Sequence, residues 1–188
     1  ALPFAGIDGK LWERQRTLLT MLLETEHPGQ LSQGLEHFLD AQAEGTHWLD
    51  VVDLDGSLLP WPVLRVRSHD LARHPPPGAA LLLVENHQCL HHLPPGGELP
   101  DTVAILGAGL DLAWLRADWL RERAVAYWGD IDTWGLTMLA LARQQVPQLT
   151  ALCMDEPTRQ RFIEQAGAEP VPTPEIPPGL RADEQAVF

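Results

Sequence analysis

Ala126-Tyr127-Trp128-Gly129-Asp130-Ile131-Asp132-Thr133-Trp134-Gly135-Leu136 is the stretch on which the reading of the whole chain turns. An apolar, partly aromatic run from Ala124 to Trp128 halts at Gly129 and gives way to two aspartates separated by one residue. A short apolar run closed by glycine is the pattern of a buried strand that opens into a loop. From Leu136 onward the pattern is helical. In open α/β sheets the loops past the carboxyl ends of parallel strands leave a crevice where functional groups gather. Asp130 and Asp132 fall at that address.

Outward from this stretch the same alternation repeats. Strands are expected at 79–84, 102–106 and 149–154 as well as 124–128, with helices at 111–123, 134–145 and 157–166. Apolar runs alternating with helical stretches predict βαβ units, hence an α/β fold with a mainly parallel four-stranded sheet flanked by helices. Upstream the pattern differs. Leu11, Leu18, Met21 and Leu22 recur at helical spacing over 9–26, and Ser32 and Gly45 suit the N-cap and the residue past the end of a second helix. Residues 47–66 carry apolar runs on both sides of Asp53-Leu54-Asp55-Gly56 and read as an irregular hairpin. Pro60 and Pro62 confine its second arm to an edge, because proline has no N–H for a ladder. The run Arg73-His74-Pro75-Pro76-Pro77-Gly78 is the clearest linker. The expected organisation is a small helical N-terminal subdomain with a possible hairpin over 1–72, a linker over 73–78, the α/β domain over 79–168 and a proline-rich tail over 169–188.

Composition bounds what such a chain does. Hydrophobic residues are 45% and charged residues 21% of 188, enough for a core and too apolar for wholesale disorder. No apolar run approaches the ~18 residues of a membrane span and no basic signal region opens the chain, so a soluble, cytoplasmic protein is expected. The chain begins at Ala1 rather than Met and is expected to be a piece of a longer protein. Cys89 and Cys153 stand far apart without a CxxC spacing, which argues against a zinc ribbon or a disulfide scaffold and for two buried thiols. Acids outnumber bases 26 to 13, a formal charge of -13 that runs against a broad nucleic-acid-binding surface.

The strand expected at 79–84 ends in Glu85-Asn86, so a carboxylate stands at its carboxyl end just as Asp130 does at the end of the third. Hard divalent cations such as Mg²⁺ take oxygen ligands and keep several waters, so two or three carboxylates at the lip of a sheet suffice to hold them. An Asp-x-Asp after a strand is also a common turn or helix cap. Gly135 adds to the pattern: Asp130-x-Asp132-x-x-Gly135 together with Glu85 resembles the Toprim domain of topoisomerases, primases and related nucleases. The resemblance implies that Glu85, Asp130 and Asp132 bind Mg²⁺ or Mn²⁺ and serve phosphodiester chemistry.

Longer strings narrow it. Val84-Glu85-Asn86, Tyr127-Trp128-Gly129-Asp130-Ile131-Asp132-Thr133 and Leu152-Cys153-Met154-Asp155 are similar to the Toprim nuclease subunit of Wadjet-type plasmid-defence systems, as is the early Gly6-Ile7-Asp8-Gly9-Lys10 with Glu13 and Arg14. That resemblance implies a metal-dependent DNA endonuclease acting on double-stranded plasmid DNA with an SMC-like motor complex, and a homodimer. Many members carry His where Trp134 stands, and the family pattern includes a DNA-binding region ahead of Ala1 and an acidic stretch after Phe188. A rival reading is a catalytically incomplete docking or dimerisation module of the same complex.

Asp155, at the end of the fourth strand, is expected either to join the metal site or to cap the next helix ahead of Pro157. Asn86 is assigned a supporting role beside Glu85. His87, His91 and His92 lie beside and within a Pro/Gly loop and read as solvated. Lys10, Arg14 and Arg16, with Arg116, Arg121 and Arg123, are the basic groupings noted, and Lys10, Arg14 and Arg116 are the residues expected to meet DNA phosphates. Tyr127 lies inside its strand and is not expected to act as a nucleophile.

Overall fold

Six runs of residues with strand character pair into one mixed sheet in the order β2-β1-β4-β3-β5-β6. The computed structural model describes residues 9–32, 35–39, 47–94, 96–107, 112–165, 167, 169 and 172–188. β3 (Ala80–Val84), β4 (Thr102–Leu106), β5 (Ala124–Trp128) and β6 (Thr150–Ala151) are the four parallel strands expected from the sequence, although β6 is only two residues long. β1 (Trp48–Asp53) adds to β4 in the antiparallel sense, and β2 (Val63–Arg67) adds to β1 as the edge, where Pro60 and Pro62 required it to be. The chain is α/β, with six strands among the described residues rather than four.

The sheet has two apolar faces because side chains alternate along each strand. Leu49, Val51, Leu81, Leu83, Val103, Ile105, Val125 and Tyr127 form one core with α4 (Thr133–Gln145) and the two 3₁₀ turns that follow β4. Val52, Leu54, Val84, Ala104 and Leu106 form a smaller core on the other face, closed by Cys89, Leu90 and Leu93 from and just after the 3₁₀ turn His87–His92. Cys89 is half-buried, but Cys153 is exposed and has φ 56°, so only one of the two thiols is sheltered.

Two compact units divide between Gly45 and Thr46. In the first, α1 (Gly9–Glu26) matches the expected helix and is interrupted at Gln15 (φ -113°, ψ 16°). It ends in a turn at Gly29, whose φ of 78° suits glycine. α2 (Leu35–Phe38) is one turn; Gly45, expected past its end, lies outside the described residues. The hairpin assigned to the N-terminal subdomain thus belongs to the sheet of the second unit. Its loop is organised by Asp53, whose carboxylate accepts the backbone N–H of Asp55, Gly56, Leu58 and Leu59 at 2.8–3.1 Å. Burial alone would raise that carboxyl group; the four donors outweigh it and hold it below its ordinary range.

The proline segment at 73–78 is not a boundary either. It joins α3 (Ser68–Arg73) to β3 inside the second unit, and Arg123 Nη2 donates to the Pro76 carbonyl at 3.1 Å while Trp119 Nε1 donates to that of Ala72 at 3.1 Å. The helix expected over 111–123 is replaced by 3₁₀ turns Ala113–Arg116 and Asp118–Glu122, with Ala117 extended between them (φ -62°, ψ 128°). That break lets Trp114, Leu115 and Leu120 all enter the core.

The expected tail is the other departure. Beyond the prolines, Leu180 and Val187 are buried and α6 (Ala182–Gln185) carries Glu184 onto α4. There Arg143 meets Glu184 through two hydrogen bonds, Nη1 to Oε2 at 2.5 Å and Nη2 to Oε1 at 2.6 Å. A buried guanidinium on an otherwise apolar helix needs such a partner, and the chain's end supplies it.

Candidate functional site

β3 lies between β4 and β5, so the chain leaves it in one direction to form β4 and returns on its other side as β5. This reversal of strand order is where open α/β sheets leave a crevice. Val84 pairs with Trp128, and the Glu85 N–H donates to the Trp128 carbonyl at 3.0 Å, which fixes the ends of both strands side by side. Glu85 and Asp130 are thereby brought to one lip from distant parts of the sequence. Because β1 runs antiparallel to β4, its amino end, His47 and Trp48, rises at the same lip, where His47 Nε2 lies 2.5 Å from the Gly107 carbonyl oxygen.

An open cleft of about 390 Å³ results, lined by His47, Trp48, Arg65, Glu85, Asn86, His87, Gly107, Asp130 and Trp134. Glu85 Oε2 accepts from the Tyr127 hydroxyl at 3.2 Å and from the Asp130 N–H at 3.3 Å. Two glycines make room for it: a Cβ at Gly129 would collide with that oxygen and lie 2.8 Å from the Tyr127 ring, and one at Gly135 would collide with the Asp130 carbonyl and sit 3.0 Å from Glu85 Oε2.

Electrostatically the site is under load. Burial and then the neighbouring charge of Asp130 push the Glu85 carboxyl above its ordinary range, against the smaller opposing effect of its two donors. Burial and Asp132 likewise raise Asp130. Burial and the Glu85 charge raise the Tyr127 hydroxyl, which stays a proton donor. Burial, followed by the charges of Asp130 and Glu85, raises the Cys89 thiol too.

Asp132 is close enough to act on both carboxyls, but it is the N-cap of α4, its Oδ1 accepting from the Gly135 N–H at 2.7 Å. Asp155 caps α5 (Glu156–Phe162) in the same way, accepting from Thr158 N at 3.0 Å and Oγ1 at 2.6 Å; those bonds hold its carboxyl low. Asn86 lines the cleft and caps the turn behind it, its Oδ1 accepting from Gln88 N at 2.8 Å. Among the described residues no group of three or more His, Cys, Asp or Glu side chains is arranged to hold a metal ion. Two carboxylates still fit Mg²⁺, which is commonly held by one or two and retains waters, and the raising of Glu85 by the Asp130 charge and of Asp130 by that of Asp132 is what a divalent cation would relieve.

Of the basic residues singled out from the sequence, Arg116 does not line this cleft. The side chains of Lys10 and Arg14 lie outside the described residues, and Arg116 lines a separate recess with Arg121, Gln144 and Gln148. Arg65 and His87 line the cleft instead, and Asp50 stands behind them. The sequence signal was Asp50 inside the apolar strand β1 and the alternation Arg65-x-Arg67 in β2, charged residues set on one face of two otherwise apolar strands.

The raised carboxyl of Glu85 has a measurable consequence for the metal-free protein. Glu85 holds its proton more tightly folded than unfolded, so its contribution favours the fold at low pH and is lost as pH rises through the raised value. Glu85→Gln keeps an acceptor and removes the charge. It is expected to raise Tm by about 2–4 °C at pH 7, the scale of ~1 kcal/mol in a domain of this size, with no gain near pH 3. Calorimetry without divalent ions at both pH values checks this; an equal shift at both would deny the ionic origin.

A mixed α/β sheet with an acidic pair at its strand-order reversal defines the class. Residues 40–188 match the family model described as Wadjet protein JetD, C-terminal, and the chain belongs to that family. Membership implies a role in the Wadjet defence complex. The comparison with curated proteins returned no match. Among the described residues no helix is long and apolar enough to cross a membrane.

Proposed function

We propose that the chain is the Toprim-type nuclease part of a Wadjet complex, hydrolysing phosphodiester bonds of double-stranded plasmid DNA with Mg²⁺ or Mn²⁺. The observation that carries this reading is the convergence of Glu85 and Asp130 at the strand-order reversal, where each carboxyl group is raised above its ordinary range. Glu85 and Asp130 would hold the ion, and Asp132 adds negative charge beside them. A divalent ion there would make water a stronger nucleophile and offset the charge of a phosphoryl transition state. The Tyr127 hydroxyl and the Asp130 N–H keep Glu85 aimed into the cleft, and Asp132 caps α4 two residues on. Tyr127 donates to Glu85 and keeps its proton, which favours hydrolysis over a covalent tyrosyl intermediate. SMC-like motor subunits and a second copy of the chain are the partners in this reading.

The docking-module reading is favoured by the charge of -13. Cleavage of supercoiled plasmid by the full-length protein with its Wadjet partners in Mg²⁺ or Mn²⁺ separates the two. Asp130→Ala is expected to lower the rate at least ~100-fold, the equivalent of ~2.7 kcal/mol, whereas Asp155→Ala leaves it near wild type. Equal cleavage by wild type and Asp130→Ala would remove the metal assignment; assembly without cleavage by the wild type would support docking.

A further inference from the structure

We infer that Asp50, Arg65 and His87 form a phosphate-holding wall of the cleft, facing the carboxylates, and that Asp50 is its positioning residue; this rests on the nuclease reading above. Asp50 is only 6% exposed on β1. A buried carboxylate is costly unless paired, and its partners are Arg65 Nε at 3.8 Å and His87 Nε2 at 3.1 Å. The pairing is built into the fold: Asp50 faces Arg65 in the β1–β2 register, and the 3₁₀ turn that begins at His87 packs on this face of the sheet.

Both partners are themselves open, Arg65 with 63% and His87 with 50% of its side chain exposed, and both line the cleft that contains Glu85 and Asp130. One buried carboxylate thus has two nitrogen-bearing side chains within ion-pair distance at the rim of an acidic cleft. Arg65 meets Asp50 through Nε, which leaves its Nη groups for oxygens of a ligand. A planar guanidinium anchored from behind is suited to phosphate oxygens. The next register pair extends the face: Arg67 lies 5.4 Å over the ring of Trp48, and Trp48 also lines the cleft. In a chain of net charge -13, overall charge does not draw in a polyanion, so phosphate contacts depend on local groups of this kind. The ligand class is the phosphodiester backbone of duplex DNA.

The test is binding of a short fluorescein-labelled DNA duplex to the full-length protein, by anisotropy across a salt series without divalent ions. Arg65→Gln is expected to weaken binding about tenfold at low salt and to reduce the slope of log K against log salt by about one, as for loss of one phosphate contact. Arg65→Lys is expected to restore the slope while recovering only part of the affinity. Asp50→Asn removes a negative charge, so a purely electrostatic effect would tighten binding; loss of positioning instead weakens it about 2- to 10-fold, the cost of ordering one long side chain anew. If Arg65→Gln, folded with an unchanged Tm, keeps wild-type affinity and slope, the wall is wrong while the nuclease reading stands. If the wild type binds no duplex and Asp130→Ala cleaves plasmid normally, both fall.

Discussion

Arg143→Ala is expected to destabilise the second unit by about 3–5 kcal/mol, a fall in Tm on the order of 10 °C. Arg143 and Glu184 side chains are 9% and 3% exposed, so removing one strands the other's charge in the core. The guanidinium also donates to the Gly179 carbonyl at 2.8 Å and to that of Leu149 at 3.4 Å, and Glu184 Oε2 accepts the Arg181 N–H at 2.7 Å. Each of these would lose a partner or have to rearrange. Glu184→Ala should cost a similar amount, and the two losses should not add, because the same pair is broken. Arg143→Met combined with Glu184→Leu should recover most of the stability, since apolar replacements of similar volume often match a buried ion pair. Urea unfolding of the wild type, the two single variants, the double alanine variant and the Met/Leu pair measures this; a loss below ~1 kcal/mol for Arg143→Ala would mean the pair is solvated.

Gly135→Ala is the second large effect. In an ordinary helix the change would stabilise by about 1 kcal/mol, because alanine is the better helix former. Here the new methyl would collide with the Asp130 carbonyl and lie 3.0 Å from Glu85 Oε2. Neither neighbour is a free side-chain end: one is backbone, and the other is held by Tyr127 and the Asp130 N–H. The expected outcome is a loss of about 1–3 kcal/mol and, under the proposed nuclease function, a weakening of Mn²⁺ binding by at least ~10-fold, since a shift of these side chains by a fraction of an ångström spoils a constellation held to about 0.5 Å. Unfolding and a calorimetric Mn²⁺ titration read the two parts. A stabilised variant with unchanged Mn²⁺ affinity would show that the glycine has no part in the site.

The four parallel strands and the position of Glu85 and Asp130 were legible because each rests on local pattern: a short apolar run, closed by an acid after β3 and by a glycine and then an acid after β5. What required the structure is non-local. Apolar runs on both sides of Asp53-Leu54-Asp55-Gly56 marked 47–66 as a hairpin, but nothing in them says that β1 pairs with β4, which follows β3 in the chain, and so the hairpin was placed with the helices before it. Asp-x-Asp suits a cap as well as a ligand, and Asp132 and Asp155 both cap helices. Asp50, Arg65 and His87 meet only through strand register and the return of a loop. Arg143 fell inside the helix expected over 134–145 with no partner in view, because its partner arrives from a segment whose prolines look like a tail.

The antiparallel seating of β1 on β4 also sets when the cleft can exist. β1 and β2 form a local hairpin, but β4 follows only after β3 and a long loop, and Asp130 later still. Contacts between segments so distant in sequence form late and slowly. On the ribosome the hairpin emerges first, with the edge of β1 that will meet β4 left bare. The wall bearing Arg65 and the lip bearing Glu85 and Asp130 face each other only once the sheet has closed between them, so the acid pair has no opposing surface in a half-made chain.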